Sequence, residues 1–303
     1  MNTLLVLPGP TCAGKTALSL RLAKKYGAPI ISADSRQLYR ELAIGTAAPT
    51  PEQLAQARHY MVGTLELTES YSASRFEADV MALLGELFER HHAVILAGGS
   101  MMYIDAVCRG IDDMPSVAPD VREAVSLLYE REGLTPLLDE LRQADPAYWL
   151  EVDRRNYRRV IHAVEICRTA ARPYSSFRTH RARTRPFHIL KTGLTRPREE
   201  LCARIDRRVD AMMAAGLLDE ARRVSRYRHL NALNTLGYKE LFRHIDGEWT
   251  LAQAVEKIRR NTRVYARKQM TWFRRDSDIE WFHPDDEAAI IGRIDRHLAD
   301  TRR

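Results

Sequence analysis

The sequence predicts an α/β fold, a parallel sheet covered by helices, with a mostly helical insertion. Three observations carry that expectation. Short apolar runs at residues 3–7, 29–33 and 93–97 alternate with helical patterns. From about residue 112 to 172 no strand signal is visible, only helical segments broken by Pro119, Gly133, Pro136 and Pro146. A strand signal then returns at 187–194 (FHILKTGL), so the helical stretch reads as an insertion within one α/β core.

Each element has its own local signal. Residues 3–7 end in Pro8-Gly9-Pro10, a buried strand followed by a turn. From Lys15, Leu18 and Leu22 fall at helical spacing, and Gly27 stands where a C-cap belongs. Residues 29–33 form a second strand, ended by Asp34. Over 76–91, Phe76, Val80, Leu83, Leu84 and Leu87 share one helical face, and His91-His92 reads as its C-terminal cap. Residues 93–97 are a third strand, closed by the tight turn Gly98-Gly99-Ser100. Helices dominate again from 199 to 275, and 279–282 reads as a last strand.

Charge divides the chain. Residues 1–150 hold 13 basic and 19 acidic side chains, whereas residues 151–303 hold 34 and 21. The second half alone is therefore at +13, which points to a polyanionic partner, nucleic acid being the commonest. No apolar run is long enough to span a bilayer, and the N-terminus lacks the basic and small-residue pattern of a secretory signal. A cytoplasmic soluble protein without membrane association is expected. Cys12, Cys108, Cys167 and Cys202 are scattered, with neither disulfide-framework nor zinc-ligand spacing.

The most specific motif is Gly9-Pro10-Thr11-Cys12-Ala13-Gly14-Lys15-Thr16, which fits G-x-x-x-x-G-K-[ST] at every position, between a strand and a helix. Glycines let backbone N–H groups turn inward around phosphate oxygens, and the helix N-terminus adds its dipole. Lys15 supplies a point charge, and the Thr16 hydroxyl is placed to hold Mg2+. The motif does not choose the ligand. No N-K-x-D guanine reader occurs, and the strand at 93–97 ends without the acid an ATPase carries there. The strand-end carboxylate is Asp34, which a doubly wound sheet turns toward the same crevice. A phosphate-loop small-molecule kinase and an RNA-stimulated ATPase both remain open at this point.

The ordered set of motifs resembles the tRNA dimethylallyltransferase (tRNA isopentenyltransferase) family of the bacterial type. It comprises GPTCAGKT at 9–16, DSRQLY at 34–39, GTAAPT at 45–50, YSASRF at 71–76, GGSMMY at 98–103, DRRNYRRVIHAVE at 153–165, RIDRRVDAM at 204–212, LGYKE at 236–240 and RVYARKQMTWFRR at 263–275. The resemblance implies a P-loop NTPase-like core from 1–111 and 186–303, with a helical insertion at 112–185 that contacts tRNA. It implies transfer of the dimethylallyl group from dimethylallyl diphosphate to the exocyclic amine of adenosine 37 in tRNA. The loop would then bind a diphosphate leaving group, with Mg2+ as cofactor.

By the same resemblance Asp34 would act as base for the amine. Ser100 would place a hydroxyl near the reacting centre, and Arg208 would neutralise the departing diphosphate. Contacts to tRNA would come from Asp34, Ser35, Arg36, Gln37, Ser100, Arg122, Arg155, Asn156, Tyr157, Arg158 and Arg159. The arginines between 257 and 275 read as further RNA contacts, and Tyr265, Trp272 and Phe273 among them as core packing. Tyr39 and Tyr103 read equally as core or as channel lining, and a monomer is expected. The chain departs from the family pattern at Ser100 (usually Thr), Met101 (commonly Gly), Ala48 (often Lys) and Arg154 (commonly Pro).

Overall fold

The computed structural model describes residues 1–179 and 182–301. The chain divides into two compact units, one of residues 1–108 and 184–303, the other of residues 109–183.

The larger unit is built on a six-stranded, wholly parallel sheet of β1 (Thr3–Pro8), β2 (Ile30–Ala33), β3 (His59–Tyr60), β4 (Ala93–Gly98), β5 (His188–Leu194) and β6 (Glu280–Phe282). Their order is β3-β2-β4-β1-β5-β6. In parallel strands buried on both faces, alternate side chains feed opposite cores. Leu4, Val6, Ile31, Val94 and Leu96 point into one core, Leu5, Leu7, Ile30 and Ile95 into the other. Each such fully buried aliphatic side chain contributes about 1.5–3 kcal/mol.

On the second face pack α1 (Lys15–Tyr26), through Leu18 and Leu22, and a C-terminal helix, through Ile290 and Ile294. Gly27 ends α1 at φ 60°, the left-handed C-cap that the sequence indicates. The short α2 (Pro51–Gln56) follows β2 and buries no side chain, while on the first face lie α3 (Ala73–Phe88) and α4 (Met101–Arg109). The smaller unit holds α5 (Pro119–Glu132), α6 (Thr135–Ala144), α7 (Pro146–Glu151) and α8 (Tyr157–Ala170) around Val125, Leu137, Leu141, Val160 and Val164. The larger unit then continues with α9 (Arg198–Ala214), α10 (Leu217–Val224), α11 (Tyr238–Ile245), α12 (Leu251–Phe273) and α13 (Glu287–Asp300), the C-terminal helix above.

Two local expectations are corrected. Helix α3 stops at Phe88, because His91 and His92 sit in the link to β4; the His91 ring Nδ1 lies 2.9 Å from the Gly27 carbonyl oxygen instead of capping the helix. Helix α13 has no counterpart in the sequence reading, although Ile290, Ile294 and Leu298 carry the i, i+4, i+8 spacing. Strand β3 is two residues long, too short for any periodic signal.

The register places the chemistry. Gly98 pairs with Pro8 on one side and Ala33 on the other, so β1, β2 and β4 end level. Their following loops therefore open together at the carboxyl edge of the sheet. Gly98 is required there, because a Cβ would collide with the Ala33 backbone.

Candidate active site

The loops after β1, β2 and β4 surround a cavity of about 260 Å3, lined by Thr11, Cys12, Gly14, Lys15, Thr16, Asp34, Gln37, Gly99, Arg208, Tyr265 and Gln269, among others. Asp34 is the only carboxylate in that lining among the described residues. The phosphate loop enters α1 through Gly14 at φ 110°, a conformation open to glycine and costly for other residues. The first-turn N–H groups of α1 have no side-chain cap, the state of a helix N-terminus that receives an anion.

Lys15 Nζ donates to the carbonyls of Gly9 (2.9 Å) and Pro10 (2.7 Å). Burial, with the neighbouring Arg208 charge adding to it, pulls the ammonium down to about 8, against an opposing pull from Asp34. Three arginines brace the loop: Arg208, itself in the cavity wall, donates to the Thr11 hydroxyl (3.2 Å), Arg204 Nε to the Cys12 carbonyl (2.9 Å), and Arg196 Nε to the Ala13 carbonyl (3.0 Å). The cavity thus combines a lysine, arginines and the uncapped N-terminus of α1 with one carboxylate, Asp34, among the described residues.

The Asp34 turn is fixed from both sides. Asp34 Oδ1 accepts from Arg36 N at 3.0 Å, and Ser100 Oγ accepts from Ser35 N at 2.8 Å. The Ser100 hydroxyl also donates to Ser35 Oγ at 3.2 Å, so it ties the β4 loop to the turn after β2. The Gln37 amide accepts from Ser32 Oγ and donates to the carbonyls of Thr46 and Ala47. These side chains shape the turn that presents Asp34.

Other expected residues lie elsewhere. Tyr103 stacks on Phe76 with centroids 4.1 Å apart, and Tyr39 is buried with its hydroxyl on the Glu69 carbonyl, so both belong to the core. Arg122 and residues 155–159 belong to the smaller unit and do not line the cavity. Arg122 lies 3.9 Å from Glu165. Asn156 caps α8, its Oδ1 accepting from Arg159 N at 3.4 Å. Tyr157 stacks on Tyr129 with centroids 5.4 Å apart, and Arg158 donates to the Tyr157 hydroxyl. Arg155, Arg158 and Arg159 are exposed and have no carboxylate partner among the described residues.

Helix α12 departs most from the sequence reading. Tyr265 lines the cavity instead of packing only in the core, and burial, with the Asp34 charge adding, pushes its phenol up to about 12. Trp272 donates its indole N–H to Asp105, and Phe273 is core. Arg259 is paired with Asp210 and Arg263 with Asp206, which fastens α12 to α9. The sequence reading gave no role to Arg196, or to Arg204 and Gln269 inside the motifs at 204–212 and 263–275. The retrievable signal was the i, i+4 spacing of Tyr265 and Gln269, which sets both on one helical face.

A parallel α/β core with a phosphate loop at its carboxyl edge defines the class: a P-loop-type α/β protein. Residues 37–276 match the family model described as IPP transferase, and the chain belongs to that family. It is 62% identical to a protein named tRNA dimethylallyltransferase 2 of Parabacteroides distasonis, over 98% of this chain and 100% of that one. It is 59% identical to tRNA dimethylallyltransferase 1 of Bacteroides thetaiotaomicron, over 96% of this chain and 94% of that one. Among solved structures it resembles the tRNA isopentenylpyrophosphate transferase of Bacillus halodurans, with TM-score 0.73 and 32% identity, covering 99% and 98% of the two chains.

Proposed function

We propose that the protein transfers the dimethylallyl group from dimethylallyl diphosphate to the N6 amine of adenosine 37 in tRNA, releasing diphosphate. The observation that carries this reading is Asp34, the single cavity carboxylate among the described residues, which shares one space with the lysine- and arginine-lined phosphate loop. The small-molecule kinase alternative is set aside by family membership.

In the reaction the C–O bond between the allylic carbon and the diphosphate breaks, and an N–C bond to the adenine amine forms. The departing diphosphate takes the electron pair; Lys15, Arg208 and the loop amides hold its growing charge. Asp34 accepts the proton the amine loses, the role a carboxylate in hydrogen-bonding reach performs for a poor nucleophile. Lys15 exchanges the Gly9 and Pro10 carbonyls for diphosphate oxygens on binding. Ser100 acts through Ser35, holding the turn that aims Asp34. The target base leaves the anticodon loop stack to reach the cavity.

Mg2+ fits the donor set here. The cavity presents hard oxygen atoms from Thr16 and Asp34, and no cluster of three or more His, Cys, Asp or Glu occurs among the described residues. That is the protein environment of an ion held mainly by substrate phosphates and water. The Thr16 hydroxyl would hold it, and the ion would supply charge to the leaving diphosphate.

For tRNA, the supporting feature is the exposed run of Arg154, Arg155, Arg158 and Arg159 on the helical unit, spaced to follow a phosphate backbone. Among the described residues no helix is long and apolar enough to cross a membrane. The test is mass spectrometry of nucleosides from unmodified tRNA incubated with the protein, Mg2+ and dimethylallyl diphosphate. An isopentenyl adenosine is the expected product; its absence across a full unmodified tRNA pool would refute the reading.

A further inference from the structure

We infer that Gln269 is a positioning residue that fixes the distance between the diphosphate side and the acceptor side of the cavity. The inference rests on the site reading above and adds to it a residue that touches neither reacting atom. Gln269 is 2% exposed, deep on the inner face of α12. Its Oε1 accepts from the Thr11 amide of the phosphate loop at 2.9 Å, and its Nε2 donates to the Gly99 carbonyl at 2.8 Å. One side-chain amide thereby joins the loop after β1 to the loop after β4.

The second loop leads directly to the base. The residue after Gly99 is Ser100, whose hydroxyl holds Ser35 N, and Ser35 follows Asp34. A chain of fixed contacts therefore runs from the diphosphate cradle through Gln269 and Ser100 to the carboxylate. The close approach is built into the sequence at Gly99 as well, because a Cβ there would collide with Gln269 Nε2. Buried amides satisfied at both ends have one geometry, and misplacing reacting groups by about 1 Å costs on the order of 100-fold in rate. Gln269 also withdraws the Thr11 N–H from the cavity, leaving phosphate recognition to the amides that follow it.

The test uses Gln269→Met, which keeps the length and removes both hydrogen bonds, and Gln269→Glu, which keeps the acceptor for Thr11 but sets carboxylate oxygen against the Gly99 carbonyl. Steady-state kinetics are measured separately against dimethylallyl diphosphate and tRNA, with tRNA titration to count folded protein. In both variants kcat per folded molecule is expected to fall at least about tenfold, with each KM within about threefold of the unsubstituted protein. A kcat within about twofold, a raised KM with kcat intact, or a loss that merely follows the folded fraction would each overturn the inference. Lys15→Ala is run alongside to separate the two claims. If it leaves the donor KM unchanged, the site reading itself fails; if it raises that KM while the Gln269 variants keep their kcat, only the role of Gln269 fails.

Discussion

The cavity of the larger unit and the arginine run of the smaller one use their polar side chains in opposite ways. Around the cavity of the larger unit nearly every polar group is engaged: Lys15 on loop carbonyls, Arg196, Arg204 and Arg208 on the same loop, Ser100 on the Asp34 turn, and Gln269 across two loops. On the smaller unit, Arg154, Arg155, Arg158 and Arg159 are exposed, and among the described residues Arg155, Arg158 and Arg159 have no carboxylate partner, although the unit's interior also holds Asp145, buried and bonded to Ser175. A site that must hold reacting atoms in register needs fixed partners, whereas a surface that follows a phosphate backbone needs charge and reach. Under the proposed function, the difference predicts that substitutions separate chemistry from RNA affinity.

The largest effect that would break this comparison is on Asp34. Asp34→Asn is expected to lower kcat by roughly 100- to 10,000-fold while leaving the tRNA dissociation constant unchanged, as read by single-turnover kinetics and titration. Full turnover would remove Asp34 from the mechanism.

Next comes Lys15→Ala, expected to raise the donor KM roughly 10- to 100-fold with little change in that for tRNA. The same lysine sets a pH dependence. Its ammonium is lowered to about 8, chiefly by burial, so the charged form is complete well below that pH and is lost above it. The kcat/KM for dimethylallyl diphosphate is therefore expected to be level on the acid side of about pH 8 and to fall on the alkaline side, with the alkaline limb absent in Lys15→Ala. A limb that survives the substitution would assign it to another group.

The smallest effect distinguishes paired from unpaired arginines. Arg158→Ala is expected to weaken tRNA binding by about 1 kcal/mol, and Arg263→Ala by less, because Arg263 is already paired with Asp206. Equal losses in a binding titration would show that the ion pair opens for RNA.

The same pair of arginines shows where sequence reading runs out. Composition located a basic half-chain, yet Arg158 and Arg263 are identical letters in it; only packing reveals that one faces solvent and the other ties α12 to α9. The phosphate loop was readable because its eight residues are contiguous and their spacing is dictated by phosphate geometry. Asp34 was readable because it ends a strand whose carboxyl edge opens on the crevice. Gln269 was not, since it meets Thr11 across 258 residues of chain and no local pattern marks a tertiary hydrogen bond. Ser100 was picked out by position, but its contact with Ser35 needed the β2–β4 register.

The most direct test of the separation is the salt dependence of tRNA binding, measured in one titration series for the unsubstituted protein, Asp34→Asn, and a variant with Arg155, Arg158 and Arg159 all changed to alanine. Released counterions set the slope of log affinity against log salt, by about 0.7 to 0.9 per phosphate contact. The account predicts the same slope for Asp34→Asn as for the unsubstituted protein, and a slope shallower by roughly two to three in the triple variant. Three equal slopes would contradict it.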